Sequence, residues 1–326
     1  MKRGGGRPAP AAMQFLFIID PLDEIKAYKD TTVTMMRAAQ TRGHAVYVCE
    51  QPGLAWRADG VTAETTRIAL TDNDEDWYRT DGHARRRLAD FDAVLMRKDP
   101  PFDLEYVTST WLLSAAERAG ARVFNSPAAI RDHNEKIAIT EFARFVAPTL
   151  VTRDPLQVHA FIDEQRDIVV KRLDVMGGEN IFRVRAGDPN RNVIVEIMAQ
   201  GGRRSVMAQR YIPEIVDGDK RVIIIDGKVV PYCLARIPKA GESRGNLAAG
   251  ARGEARALSA RDREIAEALG PTLAARGLLF VGLDVIGDWL TEVNVTSPTC
   301  FREIQDQTGF DVPGMYIEAL EAKLRA

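Results

Sequence analysis

The sequence predicts a mixed α/β and α+β protein built from three units, on three observations. The first is length: 326 residues suffice for two or three packed cores. The second is a strand–helix–strand run near the start, Met13–Ile19, Thr31–Arg42 closed by Gly43, and Ala45–Cys49. That spacing is a βαβ unit of a parallel sheet. The third is a change of character near residue 133, after which Gly-Gly and Asp-Gly turns separate β-branched runs, as in antiparallel hairpins. The units are expected at 13–132, 133–212 and 213–326.

Composition narrows the class. Lys+Arg 44 against Asp+Glu 46 leaves a net charge of −2, so nothing argues for a nucleic-acid surface. Cys49, Cys233 and Cys300 are widely spaced and form no metal or disulfide pattern, which favours a reducing cytosol. Residues 1–12, with three glycines, two prolines, Arg3 and Arg7, read as a disordered leader. The apolar run Phe15–Ile19 is too short for a signal sequence, and no run approaches membrane-spanning length.

In the first unit, a polar region rich in Thr, Asp and Arg is expected to be irregular as far as about Arg87. Ala93–Met96 is then a short buried strand that delivers Arg97, Lys98 and Asp99 at its carboxyl end, where Pro100-Pro101 forbids regular structure. Ligands of open α/β sheets bind at such ends. A helix over Glu105–Ala119, a strand over Arg122–Asn125 and a helix start at Ser126-Pro127 complete the unit.

The second unit is expected to be an antiparallel sheet with two helices. A helix over Glu135–Phe145 carries Lys136. Val151–Arg153 is extended, Pro155–Gln165 is helical, and the strand Asp167–Lys171 ends in a second lysine. A hairpin turns at Gly177-Gly178, Asn192–Gln200 is helical, and Ser205–Ile212 is a strand. Lysines act as point charges for phosphate, and glycines let backbone N–H groups approach one closely. Either lysine alone reads more readily as a solvated surface residue, as most lysines are. No GxxxxGK[ST] occurs, so this is not a P-loop protein. The segment holding Gln209, Tyr211 and Ile212 reads equally as a plain strand or as a hinge whose backbone contacts adenine.

The third unit opens with a hairpin over 217–238. Its Asp226-Gly227 turn pairs Ile225 with Lys228 and Arg221 with Tyr232, placing Arg221 and Arg236 on one face. Residues 239–254 lack periodicity and read as a disordered segment or a lid. A helix over Asp262–Arg276 and an amphipathic helix over Gly314–Arg325 flank the chemically richest stretch, FVGLDVIGDWLTEVNVTSP from Phe280 to Pro298.

That stretch reads as a hairpin of Leu279–Ile286 and Leu290–Val295. With a three-residue connection, Asp284 faces Glu292 and Gly282 faces Asn294. The three polar side chains then share one face, and Val281, Leu283, Val285, Val293 and Val295 fill the other. Two carboxylates and an amide suit Mg²⁺, which keeps waters and shares substrate phosphates; a hairpin with a solvated polar face fits the same spacing. Leu290 falls on the polar face in this register and is expected to floor an adenine beside Ile212, a plain core leucine being the alternative. Cys300 is a poor nucleophile candidate, the four histidines form no cluster, and no Ser-His-Asp set can be assembled.

The strings MRKDPPFD, NEK, MAQRYIP, DGDKR, PYCLARIP, RGNLAAG and VGLDVIGDWLTEVNVTSPT together resemble the prokaryotic glutathione synthetases, a family of ATP-grasp ligases, from Met13 to the C-terminus. The resemblance implies an ATP-grasp fold, with an N-terminal parallel α/β domain and two α+β units clasping ATP. It implies ligation of γ-glutamylcysteine and glycine through an acyl phosphate, releasing ADP and phosphate. It also implies Mg²⁺ or Mn²⁺ on Asp284, Glu292 and Asn294, and phosphates on Lys136 and Lys171 under a loop holding Gly177 and Gly178. The adenine hinge would be Gln209, Tyr211 and Ile212, with Asp219 near the ribose. Arg221 and Arg236 would lie beside the transferring phosphate, and Arg244 and Asn246 in a mobile loop. A cytoplasmic tetramer is expected. Rival expectations are a related carboxylate–amine ligase with another acceptor, or an ATP-binding regulatory protein without turnover. The chain departs from the family at residues 171–178, KRLDVMGG in place of KPLDGMGG, so that Arg172 and Val175 are its own; Ala251 likewise stands in place of a glycine.

Overall fold

A computed structural model of the chain describes residues 12–175, 180–239, 245, 247 and 250–326. The first unit runs β1 (Gln14–Ile19), α1 (Thr31–Thr41), β2 (Ala45–Glu50), β3 (Leu54–Arg57), β4 (Gly60–Leu70), β5 (Tyr78–Arg87), β6 (Ala93–Met96), α2 (Leu104–Arg118), β7 (Val123–Phe124) and α3 (Pro127–Asp132). Its sheet has the order β3-β4-β2-β1-β6-β7, with β5 on β4. β1 pairs parallel with β2 and β6, as the βαβ spacing requires. Asp30 starts α1 by accepting the Val33 N–H at 2.9 Å, an N-cap placed by sequence immediately before the helix.

The stretch expected to be irregular up to Arg87 is instead the antiparallel pair β4–β5. β4 buries Val61, Ala63, Ile68 and Leu70, but β5 (YRTDGHARRR) is exposed along nearly its whole length. A strand that buries neither face carries no hydrophobic alternation, so the pattern is silent there; its charges also keep the outer edge from pairing with another chain.

The second sheet comprises β8 (Thr149–Thr152), β9 (Asp167–Arg172), β10 (Ile181–Arg185) and β11 (Val206–Arg210), in the antiparallel order β10-β9-β11-β8. α4 (Pro155–Gln165) and α5 (Arg191–Ala199) cover it, enclosing Val158, Ile162, Ile168, Val170, Val195 and Met198. The helix expected over Glu135–Phe145 is a tighter 3₁₀ segment, Ile137–Phe145, kinked at Phe142.

The third sheet has the order β14-β13-β12-β15-β16, from β12 (Asp219–Ile225), β13 (Lys228–Ile237), β14 (Arg252–Ala257), β15 (Phe280–Ile286) and β16 (Trp289–Asn294). α6 (Ala260–Ala275) follows β14; α7 (Phe301–Thr308) and α8 (Val312–Arg325) end the chain. β14 begins within the end of the segment 239–254 expected to be disordered or a lid, and α7 was not foreseen. One face of the sheet, with Val222, Ile224, Val281, Leu283 and Val293, packs on Ile265, Leu269 and Leu273 of α6. The other face, with Ile223, Ile225, Leu234 and Phe280, joins a core that includes Phe15, Phe17, Val33 and Met36 of the first unit and Tyr316, Ile317 and Leu320 of α8. Where that second face continues past its apolar half, it forms the floor of a cleft.

Candidate active site

The β12–β13 hairpin turns at Asp226-Gly227 and pairs Ile225 with Lys228 as expected, but Arg221 lies opposite Leu234 rather than Tyr232. Two extra residues are taken up on β13 between Val229 and Cys233, around Pro231, which has no N–H to give a ladder. A slip of two residues preserves the face, so Arg221 and Arg236 still point the same way.

The β15–β16 hairpin brings Asp284 opposite Glu292 and Gly282 opposite Asn294, the expected pairs, by a different route. The turn has two residues, since Ile286 pairs with Trp289, and a bulge at Thr291 restores the odd offset. Thr291 secures the bulge by donating its hydroxyl to the Asp284 carbonyl at 3.1 Å. The bulge overturns the placement of Leu290. It lies opposite Val285, fully buried in the core against α6, and does not line the cleft, so it cannot floor an adenine. Gly282 is required by its neighbour: a Cβ there would stand 2.7 Å from Arg221 Cδ.

A cleft of about 600 Å³ lies between the second and third sheets and the first unit. It gathers Lys136, Lys171, Gln209, Tyr211, Ile212, Asp219, Arg221, Arg236, Asp284, Glu292 and Asn294. Gly177, Gly178, Arg244 and Asn246 lie outside the described residues.

The electrostatics are dense. Asp284 accepts from Arg221 Nε on Oδ1 at 2.6 Å and from Arg221 Nη2 on Oδ2 at 3.1 Å, and Arg236 Nη2 stands 2.9 Å from the same Oδ2. Arg236 Nη2 also reaches Asp219 at 2.6 Å. Burial penalises the Asp284 charge, but the two guanidiniums outweigh it and hold the carboxyl well below the ordinary range. Asp219 is pushed up by burial against the pull of Arg236, with Asp284 and Glu292 adding like charge, and its Oδ1 is buried without a hydrogen-bond partner. Glu292 Oε1 stands 3.7 Å from both Lys136 Nζ and Lys171 Nζ. Burial draws the Lys171 pKa down, and Glu292 only partly restores it.

Among the described residues no three His, Cys, Asp or Glu side chains close around one point. Asp284 and Glu292, opposite each other on the cleft floor, nevertheless fit a hard divalent ion completed by phosphate and water. Asn294, which also lines the cleft, donates its Nδ2 to the Gly282 carbonyl at 3.2 Å, a bond that leaves its amide oxygen free to act as an acceptor.

Several supports escaped the sequence reading. Glu135 accepts from Val295 N at 2.8 Å, Thr296 N at 3.0 Å and Thr296 Oγ1 at 2.8 Å, tying the end of β16 to the residue beside Lys136. Arg183, paired with Asp167 at 2.6 Å, lies 3.5 Å from the centroid of the Tyr211 ring. Lys136 donates to the Val175 carbonyl at 2.7 Å. The adjacency of Glu135 and Lys136 in sequence was the one available signal; the stack on Tyr211 had none.

Comparison with known proteins agrees with this architecture. The family described as "Prokaryotic glutathione synthetase, N-terminal domain" matches residues 13–131, and "Prokaryotic glutathione synthetase, ATP-grasp domain" matches residues 135–309. Proteins named glutathione synthetase from Ralstonia nicotianae and Bordetella pertussis are 59% and 58% identical. The first covers 95% of each chain, the second 95% of this chain and 99% of its own. Among solved structures, D-cycloserine synthetase DcsG superposes with a TM-score of 0.68 at 17% identity, over 95% of this chain and 99% of its own. D-alanyl-alanine synthetase A from Vibrio cholerae gives 0.62 at 14%, over 96% and 99%. At those identities the likeness speaks for the fold, while the two matched domains and the close relatives place this chain in the prokaryotic glutathione synthetase family of ATP-dependent ligases.

Proposed function

We propose that the chain joins γ-glutamylcysteine to glycine at the expense of ATP, through an acyl phosphate, with the residues of the cleft in the following roles. The observation that carries the assignment of roles is the row Arg221–Asp284–Glu292 across three adjacent strands, flanked by Lys136 and Lys171. Lys136 and Lys171 hold the nucleotide phosphates. Gln209, Tyr211 and Ile212 border the base, and Asp219 lies toward the ribose. Asp284, Glu292 and Asn294 would hold Mg²⁺ or Mn²⁺, which when bound neutralises phosphate charge. Arg221 and Arg236 balance the charge on the transferring phosphoryl group and the donor carboxylate. Burial of these cations keeps their fields strong and excludes the water that would hydrolyse an acyl phosphate.

The units 13–132, 133–212 and 213–326 act as three parts, with nucleotide between the latter two. No helix among the described residues is long and apolar enough to cross a membrane. A cytoplasmic homo-oligomer, a tetramer by likeness to the family, is the reading for the assembled enzyme; sedimentation tests it.

The test of function is phosphate release with substrate omission. Release that needs ATP, a divalent ion, γ-glutamylcysteine and glycine together supports the reading. Equal release with another amine in place of glycine would point to a different acceptor, and none with ATP bound would point to a regulatory protein.

A further inference from the structure

The outer edge of β16 is closed by one residue from outside the sheet. β16 ends the third sheet, and among the described residues no strand pairs with its outer side. Glu135, on the segment between α3 and the second unit, takes up the N–H groups left there. Its main-chain carbonyl accepts from Val293 N at 2.8 Å. Its carboxylate oxygen Oε1 accepts from Val295 N at 2.8 Å, Thr296 N at 3.0 Å and Thr296 Oγ1 at 2.8 Å. Asn294 therefore sits between two residues whose backbones are both held by Glu135. Three donors on one oxygen suit a carboxylate, since hydrogen bonds to an ionised acceptor are the stronger kind.

The neighbours of Glu135 reach the other side of the cleft. Lys136 Nζ donates to the Val175 carbonyl at 2.7 Å and stands 3.7 Å from Glu292 Oε1. Asn134 donates its Nδ2 to the Leu173 carbonyl, just past the end of β9, at 2.9 Å. Its side-chain oxygen accepts from Lys136 N at 3.2 Å and Ile137 N at 3.0 Å, which fixes the backbone that carries the lysine. Three consecutive residues thus bridge the second and third sheets. Asn134 holds the β9 side, Glu135 holds β16, and Lys136 reaches both.

We propose that Glu135 is a positioning residue that fixes the Asn294 amide relative to the Lys136 ammonium, so that metal and nucleotide phosphate are bound as one unit. The proposal rests on the roles assigned above to Asn294 and Lys136 and adds the part that couples them. Glu135 acts through the reach of its side chain rather than through its charge at a ligand, because Oε1 is saturated by its three donors. A ligand set held within about 0.5 Å of its working geometry binds without first having to be ordered. Without Glu135 the end of β16 is held only by β15, and the Asn294 side chain is ordered at the moment of binding.

The experiment measures Mn²⁺ binding by electron paramagnetic resonance with saturating ADP, and ADP binding by calorimetry in EDTA; neither needs turnover. Glu135→Ala is expected to weaken Mn²⁺ binding about ten- to hundredfold, the range for losing a group that orients a metal ligand. Glu135→Gln keeps an acceptor oxygen at the same reach and should stay within about threefold of wild type. Glu135→Asp keeps the charge but is one methylene too short for all three donors, and should bind Mn²⁺ more weakly than Glu135→Gln. ADP binding should follow the same order through Lys136. In an Asn294→Ala background the Glu135→Ala change should add less than about threefold to the loss of Mn²⁺ affinity, since the side chain it positions is already gone. Affinity that follows charge, with the Asp variant above the Gln variant, would overturn the proposal. So would full additivity in the double variant, or lowered unfolding stability with both binding constants unchanged. Should Glu135→Ala fail to fold, the order of the Gln and Asp variants decides. If Asn294→Ala and Lys136→Met leave Mn²⁺ and ADP binding unchanged, the roles assigned above fail and this proposal with them. If those two weaken binding and the Glu135 variants do not, this proposal alone fails.

Discussion

Arg221 grips Asp284 with two nitrogens, Nε to Oδ1 at 2.6 Å and Nη2 to Oδ2 at 3.1 Å, from directly opposite positions on β12 and β15. Both side chains are buried. Asp284→Asn would leave Arg221 and Arg236 facing a neutral amide, so it is expected to lower stability by about 3–5 kcal/mol. The carboxyl is held below its ordinary value of 3.8. Its contribution is therefore fully present above that value and is lost as pH falls below it. Denaturant unfolding at neutral and acid pH checks this: the variant and wild type should converge toward low pH, and a constant gap would exclude the ion pair as its source.

Lys171 behaves in the opposite sense. Burial lowers its pKa from 10.5, so the folded state binds fewer protons than the unfolded chain, and stability rises with pH through the interval below 10.5. Phosphates would restore the charged form. Nucleotide binding at alkaline pH is therefore expected to take up protons, seen as a buffer-dependent binding enthalpy in calorimetry. Lys171→Met should abolish the uptake; unchanged uptake in the variant would assign it elsewhere.

Leu290 belongs to the core beneath the cleft, so its truncation tests stability rather than nucleotide binding. Leu290→Ala is expected to cost about 2–5 kcal/mol in unfolding free energy. The KM for ATP of the folded variant should remain within about twofold of wild type. A selective rise in that KM would show that the side chain reaches the base.

Glu321 on α8 is fully buried, yet accepts from Arg42 at 2.7 and 2.8 Å, from Arg325 at 2.8 Å and meets His44 Nε2 at 2.8 Å. Hydrogen bonds from Arg42 above all, against some cost of burial, draw its carboxyl down to about 2. The cluster fastens the C-terminal helix to α1 and β2. Glu321→Ala is expected to cost about 3–5 kcal/mol. In wild type this contribution is present above 4.5 and is lost as pH falls toward 2. Hydrogen exchange should show α8 released before the third sheet as pH falls; simultaneous release would remove the cluster from that role.

Val175 is absent from the described non-glycine residues with positive φ, and its carbonyl accepts from Lys136. Nothing in its backbone therefore calls for glycine. Val175→Gly should change turnover by less than about threefold, or roughly 0.7 kcal/mol. A tenfold gain would show that the valine impedes the enzyme.

The sequence by itself determined which side chains share a face. Alternation of Val281, Leu283 and Val285 with Asp284, and of Val293 and Val295 with Glu292 and Asn294, leaves only one offset that keeps the apolar set together, so the carboxylate pair was legible without coordinates. The parallel pairing of β1 with β2 and the helices α1 and α4 were legible too, α1 from its stop at Gly43 and α4 from its start at Asp154-Pro155. How that offset is reached was not legible. A two-residue turn with a bulge at Thr291 and a three-residue turn give the same faces for Asp284 and Glu292 but opposite ones for Leu290. Only the packing of Leu290 beneath α6 separates them. β5 was invisible because a strand exposed on both faces has no alternation to read. The arginines were placed on a face by sequence, but their convergence on one carboxylate depends on β12 lying between β13 and β15. Glu135 and Glu321 meet their partners across 160 and 279 residues of chain. Local pattern reports what a segment buries, whereas only the closed tertiary structure decides which buried charges find a partner and which are left for a ligand.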